Sequence, residues 1–403
     1  MNQTSVSSVL LRLCRKQMHP TARLNTCLLR RFNHAKHAER TPTQSRDISA
    51  AAPPDAQQRF MDYFGTRNYP SVSASTPGYT PSWNNVWFEK LPPFEFLDPA
   101  LRADKRKANL LTPTTVMKDI TPKMGTVLQN IQLSQLSDQA KDELALLISE
   151  RKIVAFPDQD FLDAGPEALQ KFMDYFGKRN YHPVSASLPG LPGFHVIHRD
   201  GKKPELDAFF SQKTTSCLWH QDVSYEMQPP GYVMLGLLDG PKVGGDTVFA
   251  ATDEAYRRLS PAMQKFLDGI QVKHSSANII NQARLAGSLV RKDPITTVHP
   301  LVRIHPITGA RCIFINGEFI TGAVGLKNAE WKPISEFLLQ HLIGSHDIQA
   351  RVHWSPRTIV MFDNRSTIHT PVIDYVDDSQ VPQPRHIFRL AAMAEKPIPV
   401  PAE

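Results

Sequence analysis

Apolar positions recur along this chain at two spacings, and these divide it into helices and short strands. Behind Ser137, the residues Ala140, Leu144, Leu147 and Ile148 share one helical face. This predicts a helix capped by Ser137, with Asp138 at its favourable N-terminal end. Behind Pro166, Leu169, Phe172, Met173 and Phe176 form a second stripe, stopped by Gly177. Aromatics at that spacing are core residues. Ser260-Pro261 opens a third helix, and Pro333 to Leu342 reads as a fourth. The continuous apolar run Ile153–Phe156, closed by Pro157, has the pattern of a buried strand. Further β-prone runs lie at 219–225, 232–238, 296–304, 312–316 and 358–362. Many short strands with a few helices predict a mainly β fold with flanking helices.

The boundaries of that fold come from composition. Residues 41–91 are rich in Pro, Ser, Ala and Thr and read as a weakly ordered linker, so the body is expected over 92–403 as one large domain. The linker contains a partial duplicate. Residues 60–75 repeat 172–187 with 13 of 16 positions identical. One pair of copies does not make a solenoid. A recent duplication and an error in assembling the chain both account for it. Only the second copy carries His182-Pro183, so only that copy can serve a site.

Charge changes the picture at one end. Residues 1–40 hold eight Lys or Arg and one acidic residue, which accounts for the whole net charge of +7. The basic pI therefore belongs to the leader and gives no argument for nucleic acid. An Arg- and Ser-bearing leader, free of acids through Ala38, has the composition of a mitochondrial transit peptide. An uncleaved tail on a cytoplasmic protein is the alternative. No apolar stretch is long enough for a membrane-spanning helix. Only Cys217 and Cys312 lie outside the leader, which agrees with a reducing compartment.

The candidate chemistry sits in two distant segments. His220-Gln221-Asp222 lies near the middle; His369, then Arg385 and Arg389, lie near the end. On a strand, His220 and Asp222 would share a face. With a distant histidine they would complete the two-His, one-carboxylate facial triad of non-haem iron(II), leaving three open positions for a 2-oxo acid and O2. The short motif alone is weak. With fifteen histidines in the chain, chance supplies about one His-x-Asp. His198-Arg199-Asp200 is such a decoy, and it runs into a Gly-Lys-Lys-Pro sequence that reads as a solvated turn. Context lifts the second pair. Gly244-Gly245-Asp246-Thr247 comes after it, Asp363-Asn364-Arg365 precedes His369, and an arginine fork can bind a carboxylate bidentately.

Taken together, Trp219-His220-x-Asp222, Gly244-Gly245-Asp246-Thr247, Asp363-Asn364-Arg365…His369 and Arg385-xxx-Arg389 closely resemble the taurine dioxygenase (TauD/TfdA) family of Fe(II)- and 2-oxoglutarate-dependent oxygenases. The match runs over about 110 to 397. Asn109 to Pro113, His182-Pro183 and Tyr225-Glu226-xx-Pro229-Pro230 bring it nearest to the fungal sulfonate dioxygenases. The resemblance implies a double-stranded β-helix (jelly-roll, cupin-like) core. It also implies Fe(II) on His220, Asp222 and His369, with 2-oxoglutarate held at its far carboxylate by Thr247 and Arg385. His182, Ser216, Phe319 and Arg389 would surround the substrate. Ser216 stands where the bacterial pattern has asparagine and Ser185 where it has tyrosine, and the stretch from His369 to Arg385 is several residues longer.

The resemblance also implies a reaction. O2 and 2-oxoglutarate would give succinate and CO2 while a small anionic substrate is hydroxylated. For an alkylsulfonate such as taurine, hydroxylation beside sulfur yields an adduct that breaks into aldehyde and sulfite. The same chemistry on a carboxylate or secondary-metabolite scaffold is the alternative, and a non-catalytic binding protein on the same scaffold is a third. The partner expected is a small molecule, with a homo-oligomer left open.

Overall fold

The computed structural model of the chain describes residues 78–82, 86–199, 211, 215, 217–285, 287–375 and 383–401. The basic leader (1–40), the first copy of the repeat (60–75), most of the 41–91 linker, Asp200 and Ser216 lie outside the described residues.

Ser137 caps its helix as expected, its Oγ accepting the Ala140 N–H, and the helix runs over Asp138–Arg151. From the N-terminal side the chain forms β1 (Val116–Asp119), β2 (Thr126–Gln129), α1 (Asp138–Arg151), β3 (Ile153–Phe156), α2 (Pro166–Asp174), β4 (Lys178–Arg179) and β5 (His195–Arg199). Next come β6 (Pro230–Asp239), β7 (Thr247–Ala251), α3 (Thr252–Arg257), α4 (Pro261–Asp268), β8 (Gln271–Ser275), α5 (Ala277–Leu285), β9 (Thr296–Pro300), β10 (Val302–Ile304), β11 (Arg311–Ile313) and β12 (Ile320–Ala323). The chain closes with α6 (Asn328–Gly344), β13 (Gln349–Val352), β14 (Ile359–Asp363), β15 (Thr367–Pro371), β16 (Arg385–Met393) and β17 (Ile398–Pro399).

The largest sheet runs β1-β2-β3-β14-β6-β16-β4, with β5 also paired to β16. It is antiparallel except where β2 meets β3. Strand alternation divides its two faces between two cores. On β6, Val233, Leu235 and Leu237 enter an inner core with Phe249 and Ala250 of β7, Ala350 of β13 and Ile368 of β15. Tyr232 and Met234 enter an outer core with Leu144 and Ile148 of α1, Phe172 of α2 and Phe176 just beyond the end of α2. The inner core is the interior of the jelly roll. The β13-β7-β15 sheet bounds it and carries the third candidate ligand, His369.

Three expectations are corrected. The run 219–225 is not a strand: His220 makes an isolated bridge and residues 222–225 form a turn. Val223 and Tyr225 are β-prone because they are core residues, packed with Ile295 and Phe319, not because they lie in a ladder. The last long helix starts at Asn328, with Pro333 inside it, because Glu330 Oε2 accepts the Lys327 N–H at 2.8 Å and closes the first turn upstream. His198 and Arg199 end β5, paired with His386 and Arg385, and the Gly-Lys-Lys-Pro run after them lies outside the described residues. Finally, the body reaches back before residue 92. Tyr79 is buried, Ser82 pairs with Ser187 through bonds of 2.6 and 2.9 Å, and Phe88 stacks on Tyr181 at 4.7 Å. The apolar rings of that stretch decide its packing, whatever its proline and serine content.

Candidate active site

Two backbone hydrogen bonds bring the two candidate histidines together. His220 N–H donates to His369 O and His369 N–H to His220 O, both at 2.9 Å, and the rings lie 4.3 Å apart by centroid. Directly opposed residues on neighbouring strands hold their side chains within contact of one another. Asp222 lies just past this bridge, where the chain turns. Val223 has φ +39°, a left-handed conformation that a β-branched residue adopts only under constraint. The constraint is visible. Asn364 Oδ1 accepts Asp222 N–H at 2.8 Å, and Asn364 Nδ2 donates to Asp222 O at 3.1 Å. Asn316 Nδ2 donates to Gln221 O at 2.8 Å and to Ser224 Oγ at 3.1 Å. A side-chain amide thus clamps both backbone groups of the carboxylate residue.

His220, Asp222 and His369 each offer a ligand atom, all within 4.8 Å of one another, and they are the one such cluster among the described residues. Their surroundings suit a cation. His220 Nδ1 is 2.6 Å from Leu218 O, so Nδ1 carries a proton and Nε2 is the nitrogen left to face a metal. Asp222 Oδ2 and His369 Nδ1 are buried without a hydrogen-bond partner. Burial and the charge of His220 push His369 down to about 3, so it is a neutral imidazole. Burial opposes the charge on Asp222, yet Arg389 and the two imidazoles hold its carboxyl well below the usual range. Against the same penalty, Asp222 raises His220. Two imidazoles, which would bind a metal through a deprotonated ring nitrogen, and a carboxylate, with open space on one side, fit Fe(II).

That open space is a cavity of about 650 Å³. Thr247, Arg385, His182, Ser185, Phe319 and Arg389 all line it together with the three ligands. Arg385 and Arg389 share a face because an even spacing on β16 returns side chains to one side. Arg385 Nε donates to Gly245 O at 2.8 Å, and Nη2 reaches Thr247 Oγ1 at 3.4 Å. Gly244 and Gly245 have φ +84° and +70°. A Cβ on Gly244 would stand 2.7 Å from Asp374 Oδ1, so the double glycine is what lets the turn carry Thr247 to Arg385. Among the described residues no carboxylate hydrogen-bonds to Arg385, and burial lowers it to about 10, so it still bears a full charge at neutral pH. Arg389 is placed differently. Its Nη1 donates to Asp222 Oδ1 at 2.5 Å, so it supports a candidate ligand as well as facing the cavity.

His182 accepts at Nδ1 from Ser185 N–H at 3.1 Å and Val184 N–H at 3.4 Å, which puts its proton on Nε2. Its ring stacks on His195 at 4.7 Å, and burial with nearby Arg389 keeps both histidines neutral. A neutral imidazole with a fixed N–H donor beside an arginine is a receptor for an oxyanion. No sequence signal pointed to His195, a lone histidine at the start of a strand, or to Arg199, which lines the cavity from the discounted 198–200 motif. Asn364 was visible inside the Asp-Asn-Arg motif, but its bond to Asp222 was not.

These residues also match known proteins. The profile of the "Taurine catabolism dioxygenase TauD, TfdA family" matches residues 117–391. The chain is 40% identical to the alpha-ketoglutarate-dependent sulfonate dioxygenase of Saccharomyces cerevisiae over 329 residues, covering 80% of this chain and 78% of that one. It is 36% identical to the alpha-ketoglutarate-dependent dioxygenase cnsM of Penicillium expansum, over 80% and 90% of the two chains. A crystal structure of a taurine dioxygenase from Burkholderia xenovorans superposes with a TM-score of 0.57 at 24% identity, covering 71% of this chain and 93% of that one, and so shares the jelly-roll fold. With its triad, its cavity and this match, the chain belongs to the TauD/TfdA family, dioxygenases that work with Fe(II), 2-oxoglutarate and O2.

Proposed function

We propose that the chain oxidises a small alkylsulfonate such as taurine, releasing sulfite and an aldehyde as 2-oxoglutarate and O2 become succinate and CO2. One observation carries this reading: the His182 Nε2–H donor and the Arg389 guanidinium line the same cavity as His220, Asp222 and His369. They are suited to grip a sulfonate there while its neighbouring carbon faces the metal. Fe(II) held by the triad supplies the oxidising chemistry when 2-oxoglutarate and O2 are present. The protein's own part is binding and orientation. Arg385 takes the far carboxylate of 2-oxoglutarate through charge-assisted bonds, with the Thr247 hydroxyl beside it. Phe319 and Leu235 supply apolar walls that exclude water. The relatives named for sulfonate and taurine oxidation support the same substrate.

The test is a sulfonate panel with Fe(II)-loaded protein, monitoring succinate and sulfite together. Succinate formation without sulfite from any sulfonate would sink the reading. A second substrate class, a carboxylate or a secondary-metabolite scaffold, is favoured by Ser185, which lines the cavity and leaves room where the bacterial pattern has tyrosine. Substrate-stimulated succinate formation across carboxylic acids separates the two.

A further inference from the structure

Arg291 is a buried arginine with no acidic partner among the described ion pairs, only 2% exposed. Its guanidinium donates instead to one short turn of the chain. Nη1 reaches Ser187 Oγ at 3.0 Å, and Nη2 reaches His182 O at 3.3 Å and also bonds Ser185 O. Phe88 lies under the guanidinium at 5.4 Å from its ring centroid. The backbone adds two more ties: Arg291 N–H donates to Pro183 O at 2.8 Å, and Phe88 N–H to Arg291 O at 2.7 Å. From the outside, Ser82 pairs with Ser187.

Burying a cation without a counter-charge is expensive, and an apolar side chain of the same volume would fill the space at less cost. A guanidinium suits a place where several acceptors must be held in fixed directions. The turn it holds is the one in which Val184 and Ser185 N–H point at His182 Nδ1. Ser288 and Leu289, just upstream of Arg291, line the same cavity as His182, Val184 and Ser185. One residue therefore ties two walls of the cavity together and shapes the turn that fixes the histidine's proton.

We infer that Arg291 is a positioning residue for the organic substrate: it holds the His182–Ser187 turn so that His182 keeps its proton on Nε2, ready to donate to the substrate anion. This rests on the reading that the substrate anion meets His182. The residue touches neither the triad nor Arg385 in any hydrogen bond.

The test compares Fe(II)-loaded wild type with Arg291→Met, Arg291→Lys and Phe88→Leu. For Arg291→Met the expected result is a rise of about ten-fold or more in KM for the organic substrate and a larger fraction of 2-oxoglutarate consumed without product. KM for 2-oxoglutarate should stay within about two-fold of wild type. Arg291→Lys, which keeps charge but loses the fork, should fall between, and Phe88→Leu should shift the same way by a few-fold. Nitrogen-15 histidine spectra supply a readout that needs no substrate. Wild type should show His182 as a single Nε2–H tautomer, and Arg291→Met a mixture. Equal rises in both KM values, an unchanged substrate KM in folded Arg291→Lys and Phe88→Leu, or a His182 tautomer indifferent to Arg291 would each overturn the inference. If wild type releases no sulfite from any sulfonate, the substrate reading fails, while the His182 spectrum still decides this one.

Discussion

At the scale of single residues, the site depends on atoms that hold the ligands as much as on the ligands. Asp222→Ala or His369→Ala should abolish Fe(II) binding, read as loss of the visible charge-transfer band that forms anaerobically with 2-oxoglutarate. Asn364 makes a sharper case, because its amide pairs with both backbone groups of Asp222. Asn364→Ala should weaken Fe(II) binding by roughly 10–100-fold while leaving all three ligands in the chain. The two arginines should separate less cleanly than sequence implies. Arg385→Ala removes a buried cation from the 2-oxoglutarate end and should raise KM for 2-oxoglutarate by about 2–4 kcal/mol in equivalent binding. Arg389→Ala should weaken both substrate and Fe(II) binding, because its partner is Asp222. A variant that lost only substrate affinity would show that the Asp222 contact contributes nothing.

Among the elements, β6 and β16 matter most, since they lie side by side inside the large sheet and β16 carries both arginines. Gly236 is paired with Phe388, and a Cβ at Gly236 would fall 2.1 Å from that ring. Gly236→Ala should destabilise the protein by roughly 1–3 kcal/mol through overpacking. Adding Phe388→Leu should recover part of the loss, which thermal denaturation of the double mutant would reveal as non-additivity. Four of the six helices, though not the start of α6, and the buried strand Ile153–Phe156 were legible in the sequence because their apolar periods are local; α3 and α5 were not. β16 was not. Arg385, His386 and Arg389 interrupt its apolar run, and all nine residues are buried because the site itself covers the charged ones.

For the molecule as a whole, buried neutral histidines set the response to acid. Burial lowers His299 to about 4 and His386 to about 3, and pushes His274 well below its ordinary value. Their folded values lie below the unfolded one, so as pH falls the unfolded chain takes up protons that the native state refuses. Stability should be level above about pH 7 and decline from about pH 6.5 toward pH 4. The denaturant midpoint at pH 7.5 and pH 5 measures it, and His299→Gln should flatten the difference. A midpoint that stayed constant would mean these imidazoles are reached by water.

The chemistry available, and its order along the chain, was determined by the sequence alone: two histidines and a carboxylate, a glycine turn ending in threonine, and two arginines four apart. Those are properties of residue type and short spacing. The local geometry of the first pair was misplaced, because β-prone residues serve a turn as readily as a strand when they pack into a core. Only the tertiary structure brought His369 opposite His220, set Arg389 on Asp222, and placed Arg291 behind His182. Such contacts join segments more than a hundred residues apart, and closure of the two sheets around one interior decides them.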